Sequence, residues 1–420
     1  MKLFKSLLIA PAALGLMSPL AVSASETNLN EISNYSDVET IDFANSFGKV
    51  DSNQKELLAG GEGLVDSDSY NHRHDGGFSE TTSLTGAAFS QIGSVDKGDD
   101  TEALTATYSY NLDLNTSFTG EDNLYVGIET GNAVSSVDFR TGDSVNGSDE
   151  LSVASMYYQF PVGNFDIAVG PLLDNDDLMP TTTTIYSDKF FMSGYGLLKS
   201  NFWLYDRTGA GVAVSRNFDN GFNASGSIIG AEAATSDGFL TEEGADVVTL
   251  SAGYDGDSFG GGIVYVSSDG YCDLVNDYIS TTCSDLGITS DISADVVGIG
   301  GYWTPNDGQT TISATINHVD PDISGITTDE FTDLQLGLEH EFGAGVLSAS
   351  WKSIPLLKVS GSDLVNDTLG SYYEIYFTQP INDSLDLTYG VSVADPDTDS
   401  DDTIELLDYS AVGAQATFKF

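Results

Sequence analysis

Positive charge is scarce in this 420-residue sequence: 14 Lys and Arg stand against 64 Asp and Glu, a net charge of −50. Such a surface repels phosphate backbones, which excludes nucleic acid as a partner. The acidity fits a protein kept soluble in a salty medium as well as one that attracts cations. Only four histidines are present, His72, His74, His318 and His340, so bases for hydrolytic chemistry are few. Cysteine is limited to Cys272 and Cys283, which share one polar segment with no histidine nearby. That makes a poor zinc site, and in an exported chain a local disulfide is expected instead, worth roughly 3 kcal/mol through the unfolded state. No apolar run reaches the roughly 20 residues of a membrane-spanning helix. The longest, LLIAPAALGLMSPLAV, is broken by Pro11 and Pro19, follows Lys2 and Lys5, and precedes the small residues Val22-Ser23-Ala24. It reads as a signal peptide over residues 1–24, with the mature chain starting near Ser25. An exported chain without a spanning helix can cross a membrane only as a closed barrel.

What the sequence does contain is strand and turn material: 45 Gly, 20 Tyr, 21 Phe and abundant Ser and Thr. From Leu104 the chain alternates for twelve residues, with Leu104, Ala106, Tyr108, Tyr110, Leu112 and Leu114 against Thr105, Thr107, Ser109, Asn111, Asp113 and Asn115. After the turn signal Thr119 to Asp122 the alternation resumes with Leu124, Val126 and Ile128 against Tyr125, Gly127 and Glu129. This is a long antiparallel hairpin with one apolar and one wettable face. Strands of soluble sandwiches usually run about five or six residues, so these suit a membrane barrel around water. A soluble, secreted all-β protein is the alternative.

Residues 25–78 are polar and form a short N-terminal segment; His72-Arg73-His74-Asp75 within it matches no standard metal spacing, so a solvated linker is expected and no metal is assigned. Residues 79–420 read as the barrel. Short turns fall at Thr119 to Asp122, Pro161 to Asn164, Asp219 to Gly221, Asp255 to Ser258, Pro305 to Gly308, Gly343 to Gly345 and Gln379 to Asp383. Long loops follow Ile92, Asn132, Leu173, Ala231, Ser268, Val319, Ile354 and Ala394. Their alternation gives about sixteen strands in an all-β transmembrane antiparallel barrel, with short periplasmic turns and long external loops.

A carboxylate facing lipid near mid-membrane costs a few kcal/mol, whereas one facing water costs little. Asp113, Glu129, Glu339, Glu341, Glu374 and Asp386 are therefore assigned to the pore lining, each beside at least one apolar residue. Aromatics flank the short turns, among them Phe160, Phe165, Phe218, Phe222, Tyr254, Phe259, Trp303, Phe342 and Phe377, as in an interfacial girdle. The last strand is apolar at every second place, Val412, Ala414, Ala416, Phe418 and Phe420.

The segments LNTSFTGEDNLYVGIETGN, YYQFPVGNFDIAVGP, TGAGVAVSRNFDNGFNASG, YDGDSFGGGIVYV, GGYWTP and the closing ATFKF resemble those of cyanobacterial porins of the carbohydrate-selective, OprB-like family. The resemblance covers about Ser79 to Phe420. It implies an outer-membrane barrel of about sixteen strands, assembled as a homotrimer, that passes small hydrophilic solutes and ions, with carbohydrates and iron or other cations among the candidates. Many members carry an S-layer homology domain before the barrel, which Ser25 to Phe78 is too short to form.

The longest loop, Leu173 to Arg207, follows the fifth strand, the position of the inward-folded constriction loop in sixteen-stranded porins. It gathers Asp174, Asp176, Asp177, Asp188 and Asp206 with Lys189, Lys199 and Arg207. Opposed charges across a narrow pore would order water and favour polar solutes, and Tyr186, Tyr195, Trp203 and Tyr205 could stack on sugar rings. An external loop that covers the barrel or joins a trimer contact is the alternative.

Two other motifs fail their chemistry. Gly256-Asp257-Ser258-Phe259-Gly260 matches a nucleophile elbow, but it sits in a hairpin turn rather than between a strand and a helix. Asp395, Asp397, Asp399 and Asp401 begin like a calcium loop, yet Ser400 and Leu406 occupy the required Gly and Glu positions. The reading is a passive, weakly cation-preferring porin without catalytic residues or cofactor. A plugged structural or binding barrel, or an outer-membrane hydrolase, is the competing one.

Overall fold

The computed structural model describes residues 81–96, 104–132, 150–187, 207–236, 238–241, 245–269, 292–305, 308–323, 327–360, 363–395 and 409–420. The expected signal peptide and polar segment 25–78 lie outside the described residues, as do Cys272 and Cys283 of the expected disulfide. The strands are β1 (Thr82–Asp96), β2 (Thr105–Thr116), β3 (Asn123–Gly131), β4 (Ser152–Val162), β5 (Phe165–Asp174), β6 (Thr208–Asn217), β7 (Phe222–Gly230), β8 (Asp246–Asp255) and β9 (Phe259–Ser268). They continue with β10 (Ile292–Trp303), β11 (Thr310–Ile323), the two-residue β12 (Thr327–Thr328), β13 (Phe331–Phe342), β14 (Gly345–Ser360), β15 (Asp363–Asn382), β16 (Leu385–Asp395) and β17 (Tyr409–Lys419).

Setting aside β12, which pairs in parallel with Asp363 and Leu364 of β15, each strand pairs antiparallel with its neighbours in sequence. β17 returns to pair with β1, from Ala87 opposite Lys419 to Asp96 opposite Ser410. The described residues thus form a closed, antiparallel, sixteen-stranded barrel. Closure matters because it leaves no unpaired sheet edge.

The side-chain faces follow the period of 2. On β13, Asp333, Gln335 and Gly337 are buried while Leu334, Leu336 and Leu338 are exposed, which points the polar set into the lumen and the leucines outward. The same inversion of a soluble core holds on β11, where Ser313, Thr315 and Asn317 are buried and Ile312 and Ile316 exposed. A ring of outward aromatics marks the short-turn end: Phe118, Tyr158 and Phe160 form one cluster, Phe222, Tyr254 and Phe259 a second, and Phe377 with Tyr389 a third. Phe420 stacks on Tyr110 at 5.7 Å, so the terminal aromatic seals the joint beside β1.

All seven short turns fall between the strands expected. The long loop expected after Ile354 does not form: pairing of β14 with β15 continues past a bulge at Leu356/Leu357 to Ser360 opposite Asp363. The bulge absorbs one residue of mismatch, which lets the ladder run on as an extended hairpin.

Candidate functional site

The segment after β5 turns into the barrel and runs along its inner wall. A tight turn starts it. The Asp177 carboxylate accepts the Asp174 backbone N–H at 2.7 Å, and the Asp177 N–H returns to the Asp174 carbonyl at 3.2 Å. The Thr208 hydroxyl donates to the Asp174 carboxylate, tying the root of the segment to β6. Asn175, 2% exposed, is the main fastening. Its N–H donates to the Arg207 carbonyl at 3.1 Å, and its side-chain oxygen accepts the Arg207 N–H at 3.0 Å. Its amide donates to Thr249 at 2.9 Å, and its carbonyl accepts from Ser227 at 2.6 Å. Leu178 enters a small apolar cluster with Tyr157, Ala168, Leu173, Ala213 and Ile229, inside the barrel rather than outside it.

From there the segment passes from β7 to β15 in steps. The Thr181 hydroxyl lies 2.9 Å from the Asn223 amide oxygen and 2.7 Å from the Ser251 hydroxyl. The Ile185 N–H reaches Ser313 at 3.4 Å. The Tyr186 hydroxyl donates to Glu374 at 2.6 Å, and Ser187 faces Glu339 at 3.3 Å through its hydroxyl. The wall beneath is made of glycine at the crossing points. A Cβ on Gly253 would stand 2.7 Å from the Thr181 methyl, one on Gly300 2.6 Å from the Thr183 carbonyl, and one on Gly337 2.6 Å from the Tyr186 ring; Gly262 is tighter still against Thr181. Inward glycines on four strands therefore form a seat into which the segment settles.

The expected site residues divide accordingly. Asp174, Asp177 and Arg207 come together at the root, with Asp176 in the same turn. Asp188, Lys189, Lys199, Tyr205 and Asp206 lie outside the described residues, as do Tyr195 and Trp203. Asp113, Glu129, Glu339, Glu341, Glu374 and Asp386 all stand at inward positions, paired across the ladder with other inward residues. Their surroundings differ. Asp113 accepts the Tyr125 hydroxyl at 2.6 Å, Asp386 forms an ion pair with Lys419, and Glu374 is 3% exposed beneath Tyr186.

Tyr186 departs from its expected role. Its ring is 5% exposed, edge-on to Tyr376 at 6.3 Å and bonded to Glu374, so it anchors the segment and has no face free to stack on a sugar. Beyond Ser187, toward the short-turn end, a cavity of about 220 Å³ is lined by Glu339, Ser348, Thr378, Asp386, Thr388, Thr417 and Lys419, together with Ser187 and Val346. Its hydroxyls and carboxylates suit water, ions and polyols rather than apolar ligands.

Sequence reasoning missed Asn175, Thr181 and the glycine seat. The available signal was four glycines at lumen-facing parity, Gly253, Gly262, Gly300 and Gly337, where other strands carry Ser, Thr or carboxylate. It also missed a buried inward cluster on β11, β13 and β14 in which the Asn317 amide donates to Asp333 at 2.7 Å, with Gln335 and Lys352 beside it, all 0% exposed. Ser258 of the elbow-like motif lies in the β8–β9 turn, its carbonyl accepting from Thr304. Among the described residues no cluster of His, Cys, Asp and Glu has the geometry to hold a metal ion.

No protein-family model and no curated protein matches the chain. Solved structures do. Two engineered mutants of the Rh. blastica porin each match with a TM-score of 0.51 and 14% identity, over 81% of this chain and 100% of theirs. OmpTdeltaL8, a loop L8 deletion mutant of the Vibrio cholerae outer membrane protein OmpT, matches with a TM-score of 0.54 and 11% identity, over 81% of this chain and 99% of that one. The barrel is therefore of the outer-membrane porin fold, and at these identities the likeness concerns the fold.

Proposed function

We propose that this chain is an outer-membrane porin through which small hydrophilic solutes and ions diffuse passively, with a preference for cations. The charge of the described lumen wall carries the reading. Asp113, Glu129, Asp166, Asp255, Asp333, Glu339, Glu341, Glu374 and Asp386 take inward positions, against Lys352, which is buried, and Lys419, which is paired with Asp386. An excess of fixed negative charge concentrates cations and repels anions. The segment Asn175 to Ser187 narrows the lumen, so permeation is set by charge and by the hydroxyl-rich cavity beyond it. In this reading the short turns are periplasmic, the long loops external, and three copies form the functional unit; sugars and metal cations are among the solutes.

The test is a planar bilayer under a KCl gradient. A reversal potential of the cation-selective sign is expected; absence of channels, or anion selectivity, overturns the reading. A barrel sealed by its inserted segment is the second reading, favoured by the 0% exposure of Asn317, Asp333, Gln335 and Lys352 on the inner wall. Liposome swelling in small sugars separates the two, because a sealed barrel gives none.

A further inference from the structure

Arg216 stands on the wrong face for a pore residue. Ser215 before it is buried toward the lumen, opposite Asp166, so the alternation of β6 places Arg216 on the outer surface, opposite Ala224 of β7. It lies at the short-turn end, within the aromatic ring. Its guanidinium sits 5.2 Å from the centre of the Phe165 ring and 4.5 Å from that of Phe218, and both phenylalanines are exposed on the same surface. Two rings hold the charged head in place, while small Ala224 leaves space on the β7 side.

No carboxylate of the described residues pairs with Arg216, and its Nε is buried without a hydrogen-bond partner. In a chain of net charge −50 this is unexpected, because acidic partners are abundant. A buried guanidinium N–H without an acceptor is costly. That atom is closed off from outside, so an acceptor supplied by the surroundings reaches the terminal Nη groups of the same guanidinium, and the acceptor found at the level of an aromatic girdle is a lipid headgroup.

We propose that Arg216, Phe165 and Phe218 form a binding site for the phosphate of an anionic glycerophospholipid in the leaflet at the short-turn rim. The phosphate oxygens accept the guanidinium N–H groups in a forked arrangement, the two rings lie along the glycerol and upper acyl chain, and the space over Ala224 receives the chain. The site rests on the membrane placement in the proposed function but not on conduction through the barrel.

The experiment reconstitutes wild type, Arg216→Ala and Arg216→Lys into nanodiscs containing phosphatidylglycerol and phosphatidylcholine in equal amounts. The lipids that remain bound are counted by native mass spectrometry, and channel conductance is recorded on the same preparations. Wild type retains phosphatidylglycerol over phosphatidylcholine; Arg216→Ala loses about tenfold of that preference, and Arg216→Lys keeps part of it because a point charge cannot fork. Conductance is the same in all three. Equal retention of the two lipids by wild type, or unchanged preference in Arg216→Ala, overturns the site. Displacement of the lipid by millimolar inorganic phosphate would mean that free phosphate is the ligand, and overturns the lipid assignment. A wild-type barrel that forms no channel yet retains phosphatidylglycerol would remove the porin reading and leave the site standing.

Discussion

Two parts of the barrel wall obey the same alternation and use it for different ends. Under the inserted segment, on β8, β9, β10 and β13, the inward positions at the crossing points are glycine, and Ser251 beside Gly253 is a small hydroxyl residue. Away from it, on β2, β3 and β16, the inward positions carry Asp113, Glu129 and Asp386. The first wall is a seat and must be flat, because atoms of the segment lie 2.7 Å or less from where side chains would start. The second wall faces water and can be crowded with charge, because hydrated carboxylates cost little there. An inward polar position in a barrel is thus of two kinds, and the neighbour across the lumen decides which.

The largest test of this contrast is Gly337→Val. The new side chain would overlap the Tyr186 ring, and overpacking of this sort costs about 1–3 kcal/mol. The expected outcome is a lower unfolding temperature on a heat-modifiability gel, together with altered single-channel conductance as Tyr186 leaves Glu374. The control is Gly127→Ala, at an inward position on β3 where a Cβ would meet nothing closer than the Tyr125 hydroxyl at 3.2 Å. It should leave conductance near wild type. If both substitutions alter conductance equally, the seat is not special.

Next in size is Tyr186→Phe. It keeps the ring in the seat but removes the donor to Glu374, a hydrogen bond to a buried carboxylate worth about 1.5 kcal/mol. Noisier open-channel current with unchanged mean conductance is expected. Noise at the wild-type level would show that the glycine seat holds the segment without the tyrosine hydroxyl.

On the water-facing side the β2–β3 turn is fastened by Asp122, whose carboxylate accepts from the Ser117 and Thr119 hydroxyls, the Phe118 and Thr119 N–H groups and the Tyr158 hydroxyl. The Tyr158 bond first, and the Thr119 and Ser117 bonds with it, hold the Asp122 carboxyl below the usual carboxylate range. A depressed acid stabilises the fold fully above its unfolded value of about 3.9 and loses that contribution as pH falls through the lower folded value. The difference in melting temperature between wild type and Asp122→Asn should therefore be constant from about pH 7 to pH 5 and shrink only below about pH 4. A difference that already closes at neutral pH would remove the carboxylate from this role.

The smallest effect on stability is expected for Lys419→Ala, since an exposed ion pair contributes about 0–1 kcal/mol. Its effect on the channel has a definite sign. Removing the cation frees Asp386 and moves the reversal potential further toward cation selectivity, whereas Asp386→Asn moves it back. An unchanged reversal potential in both variants would place this pair outside the permeation path.

The alternation of Leu104 to Leu114 was enough to specify a long strand with one wet face, because a period of 2 has no other regular solution. The alternation of seven short turns with the other connections likewise indicated an even strand number, although the connection expected after Ile354 is displaced to the end of a longer hairpin, and the outward aromatics at Phe160, Phe222 and Phe259 marked one rim. These properties are local: each depends on a residue and its nearest neighbours in sequence. The sequence also placed Glu339 and Asp386 on the lumen side, through the cost of putting charge in lipid. It could not tell that Tyr186 would anchor rather than stack, that the hairpin past Ile354 would stay paired, or that Gly337 has any link to a tyrosine about 150 residues earlier. Those facts depend on the closed ladder, which brings β5 and β13 into one lumen. A glycine in a strand reads the same whether its missing side chain makes room for water or for another part of the chain, and only the tertiary structure decided which.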